Sequence, residues 1–313
     1  MTATKPTAPA DTDIPYDRSV GAKAGELVRV SPLVRRLIAP NGGPFTFTGT
    51  CTYIVGNGAV AVIDPGPDNP GHAAQLLDAL RGESVDTIVI THTHRDHSPA
   101  AAALKAATGA RIVGCAPHFQ ARDLGLGESN MLEGSNDLSY APDHVMADGE
   151  ALHGRGFTLT ALATPGHTMN HLAFALPEER ALFSGDHVMA WSTSIVAPPD
   201  GAMGPYMASL EKLRGRDEEI FWPGHGGPVK EPQRFVRALA HHRRQREASI
   251  LTRLAAGDTR ILEIVAKIYE GLDPRLIGAA ALSVFAHLED LVERGLALCD
   301  GAPTLDGRYG PKV

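Results

Sequence analysis

The sequence has few cysteines and lacks long apolar segments. Its three cysteines, Cys51, Cys115 and Cys299, are far apart and form no C-x-x-C pair, so neither a disulfide framework nor a thiolate zinc site is expected. No run of about eighteen apolar residues is present, which argues against a membrane span. Residues 1–20 contain no apolar segment of the kind found in secretion signals. The sequence therefore predicts a cytoplasmic protein with no membrane partner and a flexible lead-in over residues 1–20.

An overall positive charge is also absent. The formal net charge is −7 at pH 7, so the chain as a whole does not attract nucleic acid. The stretch from Arg234 to Arg260 differs, because its seven arginines face only two acidic residues. This stretch is either a solvated helix face or a phosphate-binding patch, and in the second case Arg243 and Arg244 are candidates for substrate contact.

A dense group of metal-ligand side chains follows an apolar strand. The predicted strand over residues 85–90 ends in the pattern H-x-H-x-D-H, which consists of His92, His94, Asp96 and His97. Ser98-Pro99 then begins an alanine-rich helix. Imidazole nitrogens and carboxylate oxygens are donors that zinc and similar ions prefer, and a turn fixed at both ends aims them at one point at little entropic cost. The pattern predicts a metal site.

Three further donors each stand where a predicted strand ends. His167 follows the alternating segment 157–162, Asp186 follows an apolar run that stops at Gly185, and His225 lies in a Pro-Gly-His-Gly sequence after apolar residues. Open sheets collect such strand ends at one edge, so we expect these side chains to join the first group.

Together these motifs resemble those of the metallo-β-lactamase-fold hydrolases, over about residues 25–230. The resemblance implies one ion held by His92, His94 and His167, a second held by Asp96, His97 and His225, and Asp186 as the bridge. It also implies that Asp64, at the end of the strand 60–63, supports the metal-binding turn. Zinc is the first choice for both divalent ions, with iron or manganese as alternatives.

The same resemblance implies a mechanism. Two ions bridged by Asp186 lower the pKa of a shared water, and Asp96 both ligates and orients the nucleophile. Penicillin-degrading members typically lack either the histidine that follows the aspartate of the first motif or the bridging aspartate, whereas this chain has both His97 and Asp186, which disfavours an antibiotic substrate. Residues 187–192 also differ from the stretch typical of glyoxalase II, which weakens the case for a glutathione thioester.

The predicted fold class is α/β: a four-layer αββα sandwich over residues 21–230, followed by a small winged-helix-like domain over residues 231–313. The sequence indicates early β-hairpins, two helices on the first sheet, a loop over residues 192–206 and a long helix over about 231–256. Two more helices and a strand pair at 296–299 and 304–306 follow. Tyr206 is a candidate pocket residue at the end of the loop.

The C-terminal part, together with the segment 47–53, resembles the family of lactamase-β-like protein 2, which includes an endoribonuclease that prefers single-stranded RNA. Three function classes follow for this chain. The first is a dinuclear metal hydrolase acting as a phosphodiesterase on single-stranded RNA. The second is a hydrolase of a small-molecule ester, thioester (glyoxalase II-like) or lactone, and the third is a non-catalytic nucleic-acid-binding module. The last helix carries Glu289, Asp290 and Glu293, which repel phosphates, so the tail is interpreted as a packing element, a cleft wall or a homodimer contact.

Overall fold

The computed structural model describes residues 14–125 and 128–312. Residues 1–13 of the predicted lead-in lie outside the described residues. The rest of that segment departs from the prediction, because Ile14 is buried in the core and the Tyr16 ring packs edge-on against Phe235 at a centroid distance of 6.2 Å. Within the described ranges, no helix has both the length and the apolar character needed to cross a bilayer.

Two sheets form the larger part of the molecule. The first has seven strands in sequence order, antiparallel from β1 to β4 and parallel from β4 to β7: β1 Leu27–Arg29, β2 Val34–Ile38, β3 Cys51–Asn57, β4 Ala59–Ile63, β5 Ser84–Ile90, β6 Arg111–Gly114 and β7 His144–Val145. The second has the order β12-β11-β10-β9-β8: β8 Ala151–Gly154, β9 Phe157–Ala163, β10 Leu172–Leu176, β11 Ala181–Gly185 and β12 Ile220–Pro223. Its β11–β12 pair is parallel and the others are antiparallel.

Helices cover the outer face of each sheet. The helices are α1 Pro70–Ala79, α2 Ala100–Thr108, α3 Met203–Leu213, α4 Pro232–Ala255, α5 Ile261–Ile268 and α6 Ile277–Glu293. Leu76 of α1 and Leu104 of α2 belong to the core of the first sheet, whereas Leu210 of α3 and Val236 of α4 pack on the second. Between the sheets, the Tyr53 ring lies 5.1 Å from that of Phe183. The predicted four-layer αββα sandwich is therefore confirmed.

The C-terminal part has a core of its own, formed by the end of α4, by α5 and α6, and by a two-stranded sheet of β13 Ala297–Cys299 and β14 Tyr309–Pro311. The winged-helix-like arrangement is confirmed. The second strand of its hairpin was predicted at 304–306, and this is wrong. Residues 300–308 form the connection, because the buried Tyr309 ring fixes the register and its hydroxyl donates to the Thr304 carbonyl oxygen at 2.6 Å.

Candidate metal centre

The turn after β5 is held in place by Asp64, which follows β4 on the neighbouring parallel strand. One Asp64 carboxylate oxygen accepts a hydrogen bond from the Thr91 backbone at 2.8 Å, and the other accepts from the Thr91 hydroxyl at 2.7 Å. His97 Nδ1 lies 2.9 Å from the second oxygen. Asp64 therefore fixes the beginning and the end of the turn, and directs His97 Nε2 into the site.

Four donors converge in a first group. His94 Nδ1 lies 3.1 Å from both His92 Nε2 and His167 Nε2, and His167 Nε2 lies 3.6 Å from an Asp186 carboxylate oxygen. Ligands arranged tetrahedrally around zinc at its usual bond lengths are about 3.3 Å apart, so these spacings fit an ion. The remaining ring nitrogen of His167 donates to the Ile195 carbonyl oxygen at 2.6 Å, which orients the imidazole.

A second group lies beside the first. His225 Nε2 is 3.2 Å from an Asp96 carboxylate oxygen and 3.3 Å from His97 Nε2. Asp186 reaches both groups, since one of its oxygens lies 3.3 Å from His225 Nε2 and 3.6 Å from His167 Nε2. Its other oxygen is buried and has no hydrogen-bond partner among the described residues, which is the state expected of an atom that ligates an ion.

Charge in the centre is divided between the two groups. Burial lowers the pKa of His94 to about 3, so this ring is neutral and able to donate a lone pair to a metal. Burial also disfavours charge on His225, but the Asp186 and Asp96 carboxylates outweigh it and raise the pKa of His225 to about 9. Burial opposes ionisation of Asp186 as well, yet His225 and His97 hold the pKa of its carboxyl well below the usual range. The Asp96 and Asp186 carboxylates can therefore neutralise part of the charge of bound cations.

Several contacts of the centre involve residues outside the sequence motifs. The Thr50 hydroxyl donates to Asp96 at 3.0 Å, the Asp186 backbone donates to His171 Nε2 at 3.1 Å, and the Ser194 hydroxyl donates to the Asp186 carbonyl oxygen. Gly224 lies so close that a Cβ atom there would be 2.4 Å from an Asp186 oxygen. Gly224 belongs to the Pro-Gly-His-Gly motif and could be recognised in the sequence. The contacts of Thr50, His171 and Ser194 depend on the folded paths of loops, which no local sequence pattern reveals.

A cavity of about 420 Å³ opens onto the centre. His94, Asp96, His167, Asp186 and His225 form one end of it. The rest is mostly apolar and is contributed by the loops 44–46 and 189–195 and by the C-terminal helices. A pocket of this size and composition suits a small molecule.

The three candidates for substrate contact fall in different places. Arg243 lines the cavity and is only 3% exposed. The Arg244 side chain is 54% exposed and forms an ion pair with Glu211 at 2.5 Å, away from the cavity lining. Tyr206 is fully buried in the core, where its hydroxyl donates to the His187 carbonyl oxygen at 3.1 Å. Of the three, only Arg243 is placed where it can meet a substrate in the cavity.

Comparison with known families assigns both parts of the chain. Residues 45–225 match the metallo-beta-lactamase superfamily, and residues 261–304 match the beta-lactamase associated winged helix domain. The first match includes all seven of the converging donors.

Similar proteins are found over nearly the whole length. The chain is 29% identical to the beta-lactamase-like protein 2 homolog of Drosophila melanogaster, over 86% of this chain and 91% of that protein. It is 28% identical to an atrochrysone carboxyl ACP thioesterase of Aspergillus terreus, over 96% of this chain and 89% of that protein. The crystal structure of a metallo-beta-lactamase family protein from Thermus thermophilus superposes with a TM-score of 0.72 at 25% identity, and covers 91% of this chain and 100% of that one.

Proposed function

The chain belongs to the metallo-beta-lactamase superfamily and is a metal-dependent hydrolase, and we propose on this premise that it uses two divalent ions to hydrolyse a small-molecule ester or thioester. The observation that carries the proposal is the convergence of seven donors in two neighbouring groups, with an Asp186 oxygen close to both, at one end of a mainly apolar cavity. In this assignment His92, His94 and His167 would hold one ion, Asp96, His97 and His225 would hold the other, and Asp186 would contribute to both sites.

Bound ions of this kind lower the pKa of coordinated water and polarise the scissile carbonyl group. The protein itself contributes orientation. Asp64 and the Ile195 carbonyl fix the rings of His97 and His167, and the Thr50 hydroxyl fixes one Asp96 oxygen. Asp96 would also orient the attacking water. Zinc fits the imidazole-rich set, iron or manganese fit the carboxylates, and metal analysis of the purified protein distinguishes them.

The arginine distribution favours a small substrate over single-stranded RNA. An RNA backbone needs an open positive groove with several accessible cations. Here Arg243 is buried, Arg244 is paired with Glu211, and Arg253 is paired with Asp258 at 2.5 Å. The positive surplus of α4 is therefore largely neutralised or enclosed. The predicted RNA activity, the homodimer and the cytoplasmic location stay predictions.

A parallel substrate screen tests the proposal. Protein reconstituted with zinc, iron or manganese is assayed for metal content and for hydrolysis of acyl thioesters, lactones and single-stranded RNA. We expect two ions per chain and turnover of thioesters or lactones. Asp186→Ala should lower turnover on the order of a thousandfold, because it removes the residue shared by both groups, while the variant stays folded by circular dichroism. A metal content that never exceeds one ion per chain, or cleavage of RNA alone, would contradict the proposal.

A further inference from the structure

The cavity wall opposite the metal centre is apolar. The C-terminal helices and their connection contribute Leu272, Leu276, Ala279, Ala280 and Leu282 to it. Phe45, Met189 and Trp191 face them from the catalytic sandwich. Apolar surface of this kind binds a hydrocarbon chain or ring, because the ligand leaves water on entering.

Two arginines of α4, Arg243 and Arg246, interrupt this wall. Arg243 is 3% exposed, and it donates to the Ser194 carbonyl oxygen and to the Ser283 hydroxyl. The Arg246 guanidinium lies 4.2 Å from the centre of the Tyr269 ring. The Nε atoms of both arginines are buried and have no hydrogen-bond partner in the part of the chain that the structure describes.

Other arginines of the same helix are neutralised. Arg234, Arg244 and Arg253 each form an ion pair, with Glu231, Glu211 and Asp258 respectively. Neither Arg243 nor Arg246 pairs with a carboxylate of residues 14–125 or 128–312, although both face the cavity. Arg243 is buried and Arg246 is half-buried, and cations in such positions are unfavourable without a counter-charge, which a ligand can supply.

We propose that Arg243 and Arg246 bind a carboxylate carried by the acyl part of the substrate. The proposal rests on the ester or thioester hydrolysis proposed above. Its substrate is then an apolar acyl thioester with a carboxylate remote from the scissile bond. A guanidinium matches a carboxylate in shape and charge, and the apolar wall holds the hydrocarbon between the two ends.

The position of Arg243 assigns the anion to the acyl part. Ser194 connects Arg243 to the metal centre. Arg243 donates to the Ser194 carbonyl oxygen, and the Ser194 hydroxyl donates to the Asp186 carbonyl oxygen. A leaving group attached to a large carrier must keep its far end in solvent, whereas Arg243 is enclosed. In the reaction water adds to the acyl carbon and the C–S bond breaks. The thiol leaves with one proton, and the remote carboxylate is unchanged.

Matched thioesters test the proposal. Adipyl and hexanoyl thioesters of N-acetylcysteamine have acyl chains of equal length and differ in the terminal carboxylate. We expect a higher kcat/KM for the adipyl compound. Arg246→Gln should lower kcat/KM for the adipyl compound by about 10- to 100-fold, the range for loss of one or more charge-assisted hydrogen bonds, and should lower it much less for the hexanoyl compound. Arg237→Gln, an exposed position on the same helix, is the matched control and should change neither.

Two further measurements separate the sources of failure. Phosphopantetheine thioesters of both acids test the leaving group, and a preference that follows its phosphate rather than the adipyl carboxylate overturns the proposal. Calorimetric binding of adipic acid mono-N-methylamide and hexanoic acid N-methylamide needs no turnover. If no thioester is hydrolysed but the charged amide binds more tightly in an Arg246-dependent way, the assigned reaction fails and the carboxylate site stands. Equal binding and equal turnover of charged and neutral compounds overturn the carboxylate site.

Discussion

At the scale of single residues, the Asp186 carboxylate and the protonated His225 ring balance each other's charge in the metal-free protein. Both side chains are buried, and a buried charge is unfavourable unless an opposite charge lies close. An Asp186 oxygen lies 3.3 Å from His225 Nε2, so each stabilises the ionised form of the other. Protonated His225 thus takes the place of a cation, and it must lose its proton before it can ligate one.

This pairing predicts how the stability of the metal-free protein depends on pH. The carboxylates raise the pKa of His225 to about 9 in the folded chain, above its ordinary value of 6.5. A raised pKa contributes stability that is fully present below 6.5 and is lost as the pH rises through 9. We expect the free energy of unfolding of chelator-treated protein, measured with urea, to fall across this window.

The variant Asp186→Asn provides the control, because it keeps the size of the side chain and removes its charge. Its unfolding free energy should fall less between pH 6.5 and 9. Histidine ring resonances in NMR spectra should show the pKa of His225 shifted downward. An unchanged titration of His225 in this variant would show that another group holds its proton.

Residue identities in the centre were largely predictable, but of the residues that support them only Asp64 was. Each of the seven donors belongs to a short motif, since a strand has to stop where its last side chain turns toward a ligand. Ser194 and Thr50 lie in loops with no periodic pattern, so their contacts with Asp186 and Asp96 follow from the folded path alone. The same limit explains Arg243 and Arg244. They are adjacent in sequence, but a helix turns successive side chains to different sides.

At the scale of elements, the site is built from the ends of β4, β5, β9, β11 and β12. The parallel pairs β4–β5 and β11–β12 bring two ends together in each sheet. Because β12 places Gly224 against Asp186, the strand end needs a residue without a side chain.

Gly224→Ala tests this close approach. The new Cβ atom would lie 2.4 Å from an Asp186 oxygen and 2.7 Å from a His97 ring carbon, so Asp186 or the strand has to shift. We expect the variant to bind metal more weakly in both groups and to lose about 1–3 kcal/mol of stability from overpacking. Metal content after dialysis and urea unfolding measure the two effects. Gly310→Ala, in β14 where a Cβ meets no atom and the backbone is not left-handed, tests for a general effect of lost glycine, and it should keep its metal.

Helices and strands of the C-terminal part were predictable to different degrees. The helix predicted over about 231–256 is observed at Pro232–Ala255, since a long run of helix-forming residues begins at a proline and ends before Gly257. The last strand was misplaced, because short strands have weak patterns and this one is set by the burial of Tyr309 between α4 and α6.

At the scale of the whole molecule, α4 belongs to both parts. Phe235, Val236 and Leu239 in its first half pack on the second sheet, whereas Ile250 and Leu254 in its last turns belong to the C-terminal core. A boundary drawn at residues 230 and 231 would therefore divide the sandwich from a helix that covers it. The sequence pattern of α4 is helical along its whole length. It therefore does not indicate where the helix stops packing on the second sheet and begins packing in the C-terminal core.

Two truncations separate these roles. A chain ending at residue 230 loses three large buried apolar side chains of α4, Phe235, Val236 and Leu239. Each contributes about 1.5–3 kcal/mol. Their sum is comparable to the whole stability of many domains, which is about 5–15 kcal/mol. We expect it to aggregate or to unfold at a much lower temperature.

A chain ending at residue 256 keeps α4 on the sheet and should stay folded and hold two ions. It should bind acyl substrates weakly, because Leu272, Leu276 and Ala280 of the cavity wall are gone. Thermal unfolding, metal content and KM report the three properties. If the shorter chain is as stable as the longer one, α4 is not part of the sandwich core.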